Sequence, residues 1–171
     1  MKTISFKSLT VSLAELRAYL FASLFVIGNL LLPQLCHLTP WGGNILLPIY
    51  FFTLVAAYKF GWKVGLLTAV FSPLMNSLLF GMPVVAMLPF ILTKSVLLAL
   101  AATFVASKTK TLSLLGLLAV ILFYQVFGTA VEMLVLQSFA AGLNNFAMAI
   151  PGMLVQLIGG FALLTLLAKY E

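Results

Sequence analysis

The chain has 171 residues, of which 64% are hydrophobic and 7% charged, a balance outside the range of soluble globular domains. Each helical crossing of a bilayer takes roughly 20 apolar residues, so the length admits about six or seven spans and leaves no room for a water-soluble domain. The formal charge of +6 comes from nine Lys and Arg against three acidic residues, all Glu; in a membrane chain such an excess sets topology and is not a nucleic-acid footprint.

With no Asp, a single Cys36, a single His37 and Glu132 as the sole carboxylate inside an apolar segment, acid/base pairs, hydrolytic triads and carboxylate metal clusters cannot be assembled. The sequence therefore predicts no enzymatic activity, no metal site and no resident cofactor. It also lacks a G-x-x-x-x-G-K-[ST] loop, so any ATP-driven activity would have to come from another polypeptide.

Apolar runs punctuated by Gly, Pro and Lys give six candidate spans, near 18–35, 45–58, 64–80, 84–106, 113–136 and 147–168. The helix of the first span is expected to start earlier, capped by Ser8 or Ser12, and so carries Ala14, Ala18 and Ala22, small residues at four-residue spacing on one face. Such a face lets another helix approach closely, within the chain or from a partner. A cleaved signal peptide is the competing reading of this run, but it is longer than an h-region and five further spans follow. The second run is short for a crossing, with Pro48 near its start.

The loop charges set the orientation. Lys2, Lys7 and Arg17 precede the first span, Lys59 and Lys63 separate the second and third, Lys108 and Lys110 the fourth and fifth, and Lys169 follows the sixth. The alternate loops, 36–44, 81–83 and 137–146, have no Lys or Arg. The expected architecture is an all-α, multi-pass bundle of six transmembrane helices forming one domain, in the cytoplasmic membrane, with both termini cytoplasmic.

Eight of the nine basic residues fit that scheme, and Lys94, inside the fourth run, does not. A charge in the membrane interior is costly and is expected to face protein or a wet cavity. Pro89, between Lys94 and the outer surface, would kink the helix there. Gln125, Thr129 and Glu132 on the fifth run recur at spacings of four and three and so share a face. Gln156 on the sixth run and Asn76 on the third add amides in the outer half, beneath loops that carry His37, Trp41, Asn44 and Asn145. These polar groups suggest an outward-facing pocket; the alternatives are a structural Lys94–Glu132 ion pair, interhelical hydrogen bonds for the amides, and an interfacial aromatic belt for Trp41 and Tyr50.

Gly61 and Gly65, the Ser72-Pro73 step and the Gly81-Met82-Pro83 turn, with the alanine series and six short-looped spans, resemble the substrate-binding S components of energy-coupling factor (ECF) vitamin transporters. The resemblance covers nearly the whole chain. It implies a subunit that captures a vitamin or micronutrient precursor from outside and delivers it when docked on a transmembrane T component and two ATP-binding subunits. It maps the ligand pocket onto Trp41, Asn44, Lys94, Gln125, Glu132, Asn145 and Gln156, with Asn76 added by the polar census, and T-component docking onto Ala14, Ala18 and Ala22. Lys94 would neutralise a carboxylate or phosphate or donate to a carbonyl, and Glu132 would accept from a donor. Two other functions fit the same pattern: a six-span structural scaffold of the rod-shape type, and a stand-alone proton-coupled transporter using Glu132.

Overall fold

The computed structural model describes residues 4–6, 15–36, 46–109 and 111–169. Within them lie five long helices: α1 (Leu16–Cys36), α2 (Phe51–Phe80), α3 (Leu88–Thr109), α4 (Leu114–Leu136) and α5 (Phe139–Lys169). Short 3-10 turns, Pro48–Tyr50 and Val85–Met87, lead into α2 and α3. All five helices are long and apolar enough to cross a membrane, and the exposed side chains, among them Leu24, Leu31, Phe104, Leu134 and Ile158, are as apolar as the core. A multi-pass bundle whose outer surface suits acyl chains follows from both facts.

The expected second and third spans follow one another without a loop in α2, which is broken into two helical arms at Gly61. Gly61 has φ 84° and ψ −178°, a conformation essentially restricted to glycine. Thr53 Oγ1 and Ser72 Oγ, about 28 Å apart in a straight helix, both accept from Asn29 Nδ2 at 3.0 Å. The chain therefore reverses at Gly61, and residues 51–60 and 62–80 run side by side. Gly65 permits their close approach, because a Cβ there would stand 2.6 Å from that of Ala57. The sequence places Lys59 in a solvated loop between spans; the abrupt reversal leaves no loop, and Lys59 is instead 3% exposed with its ammonium over the Phe6 ring.

Phe6 belongs to an amino-terminal segment, 4–6, for which the sequence predicts no element. Its strand β1 (Ile4–Ser5) pairs antiparallel with β2 (Thr111–Leu112), Ile4 opposite Leu112. Tyr58 donates to the Thr111 carbonyl and packs edge-on against Phe6. The ladder, the Gly61 reversal, the α3–α4 connection and the end of α5 thus share one end of the bundle, the end that also holds Lys59, Lys63 and Lys108.

Small residues set the helix spacing. Ala99, Ala102 and Ala106 of α3 are buried at helical repeat, and Thr103 donates to the Ala57 carbonyl across the same interface. Ala18 and Ala22 are likewise buried, in line with Phe25, Asn29 and Pro33 on the inward face of α1. This corrects the expectation that they form an open docking surface: the exposed face of α1 carries bulky residues such as Tyr19, Leu20 and Leu24. Ala14 lies outside the described residues.

Asn29 and Gly65 are the two points on which the α2 hairpin depends. Gly65→Val is expected to cost about 1–3 kcal/mol by overpacking and Asn29→Ala about 2 kcal/mol through lost interhelical hydrogen bonds, both read as a lowered thermal midpoint of the detergent-purified protein.

Candidate ligand-binding site

A cavity of about 620 Å³ opens at the end of the bundle opposite the β-ladder. Its walls come from the end of α1, the segment leading into α2, the far end of α2, the start of α3 and the facing parts of α4 and α5. Lys94, Glu132, Gln125, Asn76 and Asn145, all selected from the sequence, line it together.

Lys94 sits on the seventh residue of α3, since that helix begins at Leu88, about 9 Å along the axis from its start. Pro89 falls in the first turn, where a missing N–H breaks no helical bond, so the expected kink does not form. From this depth the lysine stem runs across Gly128 of α4, where any Cβ would collide with its Cγ and stand 3.1 Å from its Cε. Gly128 is thus the groove that lets Lys94 reach Glu132, one helical turn further out.

Lys94 Nζ lies 3.0 Å from Glu132 Oε2, and Asn145 Nδ2 donates to Glu132 Oε1 at 2.6 Å. Three helices are joined at one carboxylate. Lys94 is 9% exposed and Glu132 3%, so the ion pair is as much a structural element as a feature of the cavity wall. Charge-assisted hydrogen bonds on both carboxylate oxygens offset the desolvation that a lone buried charge would suffer.

The amides divide. Gln125 is 1% exposed, lines the cavity, and neither its Oε1 nor its Nε2 has a partner among the described residues. Asn76 donates through Nδ2 to the carbonyls of Asn29 and Ser72, at 2.9 and 3.1 Å, and its Oδ1 is buried without a partner among the described residues. Gln156, expected in the pocket, lies behind the wall. Its Oε1 accepts from the Tyr124 hydroxyl at 2.9 Å and its Nε2 donates to the Leu47 carbonyl at 3.4 Å. Leu47 has left-handed φ/ψ of 48° and 44°, so Gln156 holds an unusual backbone turn at the cavity rim. Thr129 is buried with its hydroxyl unpaired among the described residues and does not line the cavity.

Trp41 and Asn44, with His37, lie outside the described residues. Gln34, Tyr50, Met82, Met87 and Phe90 also line the cavity. From sequence Tyr50 reads as a pocket wall or belt residue and Gln34 as an interfacial amide ending the first run, while Met and Phe carry no signal in so apolar a chain.

Removing one member of the ion pair leaves the other charge buried. Glu132→Leu is expected to lower stability by about 3–5 kcal/mol, and Lys94→Met combined with it to recover most of that loss; Gly128→Ala, which displaces the lysine stem, should resemble a weakened version of the single change. Thermal unfolding of the four proteins checks all three statements. Searched against protein-family models, curated proteins and solved structures, the chain matches none, so its function rests on the chemistry of these residues.

Proposed function

We propose that the chain is the substrate-binding S component of an ECF-type importer, which takes up a small vitamin-like molecule from outside and releases it when assembled with a T component and two ATP-binding subunits. In this reading the α2 reversal makes six crossings of five helices, and both termini are cytoplasmic. The grouping of Lys59, Lys63 and Lys108 at the end opposite the cavity supports the orientation, because basic residues are retained on the cytoplasmic side.

The observation that carries the proposal is the cavity itself. Its volume, about 620 Å³, falls in the range of about 300–1,000 Å³ typical of small-molecule sites, and a few polar groups converge on an otherwise apolar lining. A structural scaffold needs no such cavity. Ala18 and Ala22, being buried, are not part of the proposed contact with the T component.

Lys94→Ala is expected to weaken ligand binding by more than about tenfold, since truncating one member of a buried, hydrogen-bonded charge pair has effects of that size. Mass spectrometry of the small molecule that copurifies from rich medium identifies the ligand, and calorimetry with it measures the loss; unchanged affinity removes Lys94 from the site. Uptake into proteoliposomes should require the ATP-binding subunits. Uptake without them that collapses with the proton gradient would instead establish a stand-alone carrier.

A further inference from the structure

Three groups on the cavity wall retain hydrogen-bonding capacity after the protein's own bonds are made. Lys94 uses one of three N–H donors on Glu132. Asn76 spends its Nδ2 on two backbone carbonyls and keeps Oδ1 as a bare acceptor among the described residues. Gln125 keeps its whole carboxamide, one acceptor and two donors. A buried amide unpaired on both atoms is unfavourable; both atoms of Gln125 are closed off in this conformation, but the residue lines the cavity, so a molecule there is the partner able to relieve it once the side chain rotates toward the cavity.

The charge balance of the same wall restricts that molecule. Among the described residues that line the cavity, Lys94 and Glu132 are the only Lys, Arg, Asp or Glu, and segments 37–45, 81–87 and 137–148 contain none in their sequence. The two charges already compensate each other at 3.0 Å. An anion would draw Lys94 away and strand the carboxylate, whereas a cation would strand the ammonium. Either leaves a net charge in a medium of low dielectric.

We infer that the ligand is electrically neutral and carries an amide-type edge, an N–H beside a C=O as in a lactam, a primary carboxamide or a ureide. That edge pairs with Gln125 through two hydrogen bonds, and a second acceptor of the ligand takes a free N–H of Lys94. The inference rests on the binding reading above and narrows it: Lys94 donates to a neutral acceptor and does not neutralise a carboxylate or phosphate.

Pyrazine-2-carboxamide and pyrazine-2-carboxylate share a skeleton and differ in this edge and in charge. Titrated at pH 7 into the full chain in detergent and followed by saturation-transfer NMR, the amide is expected to bind about tenfold or more tighter than the carboxylate, as a site built for hydrogen bonding discriminates. Gln125→Leu and Gln125→Met should erase that preference, and Glu132→Gln, which frees the ammonium, should shift it toward the carboxylate. Tighter binding of the carboxylate by the wild-type protein, or an amide preference that survives both Gln125 changes, overturns the inference and leaves the binding reading standing. The copurifying molecule is a second readout: a compound with net charge at pH 7 overturns the inference alone. If neither probe binds and no small molecule copurifies, the binding reading fails and the inference with it.

Discussion

One buried carboxamide, Asn29, joins the parts of this bundle. Its Nδ2 donates to Thr53 and Ser72, its Oδ1 accepts from the Phe52 amide, and its backbone carbonyl accepts from Asn76. Between apolar helices there is little hydrophobic gain in association, so close packing and interhelical hydrogen bonds select the arrangement. Asn29 supplies both: it fixes α1 against the two arms of α2, and Gly28 beside it leaves the space that the Phe52 ring fills, since a Cβ there would stand 2.8 Å from the ring. The tie reaches the cavity through Asn76. With both its N–H contacts made to backbone carbonyls, the Asn76 side chain has one orientation left, and its Oδ1 is held as a preset acceptor.

The second constraint is electrostatic and acts at the other wall. Lys94 and Glu132 belong to different helices, and Asn145 to a third, so the carboxylate fixes α3, α4 and α5 relative to one another. A buried ion pair is weak evidence for stability, because well-packed apolar residues often serve as well. At the cavity wall this pair offers oriented donors without giving the cavity a net charge. Gln156 works in the same spirit from behind, holding the Leu47 carbonyl so that the segment leading into α2 keeps its left-handed turn.

The elements that were legible in the sequence are those whose signal is an exception to the chain's own composition. A lysine inside an apolar run, and Gln125 and Glu132 on one helical face, stand out against Leu and Ala, and the structure brings them to one cavity. Asn29 does not stand out, although it is as polar, because a lone amide in an apolar run has no periodic partner; Thr53 and Ser72 become its partners only after the chain reverses. Gly61 was visible as part of a G-x-x-x-G pattern, but nothing local distinguishes a packing glycine from one that turns the chain. Ala18 and Ala22 show the same ambiguity, since four-residue spacing of small side chains serves inward and outward contacts alike. Gln125 and Gln156 read as equivalent, and only the presence of Tyr124 and Leu47 near the second decides that one faces the cavity and the other is already satisfied.

Charge is distributed in this molecule according to two separate demands. Lys63 and Lys108 lie over Trp62 and Phe104 at the end carrying the β-ladder, an arrangement in which a long stem covers apolar surface while its charged head stays in a polar medium. Lys94 is the exception to that arrangement, and its surroundings are built to correct the exception locally: Gly128 clears a path for the stem, Glu132 cancels the charge, and Asn145 occupies the remaining carboxylate oxygen. An apolar side chain of similar length would fill the same groove at lower desolvation cost. What the accommodations preserve is the part of lysine that an apolar residue lacks, two further N–H donors beside the cavity.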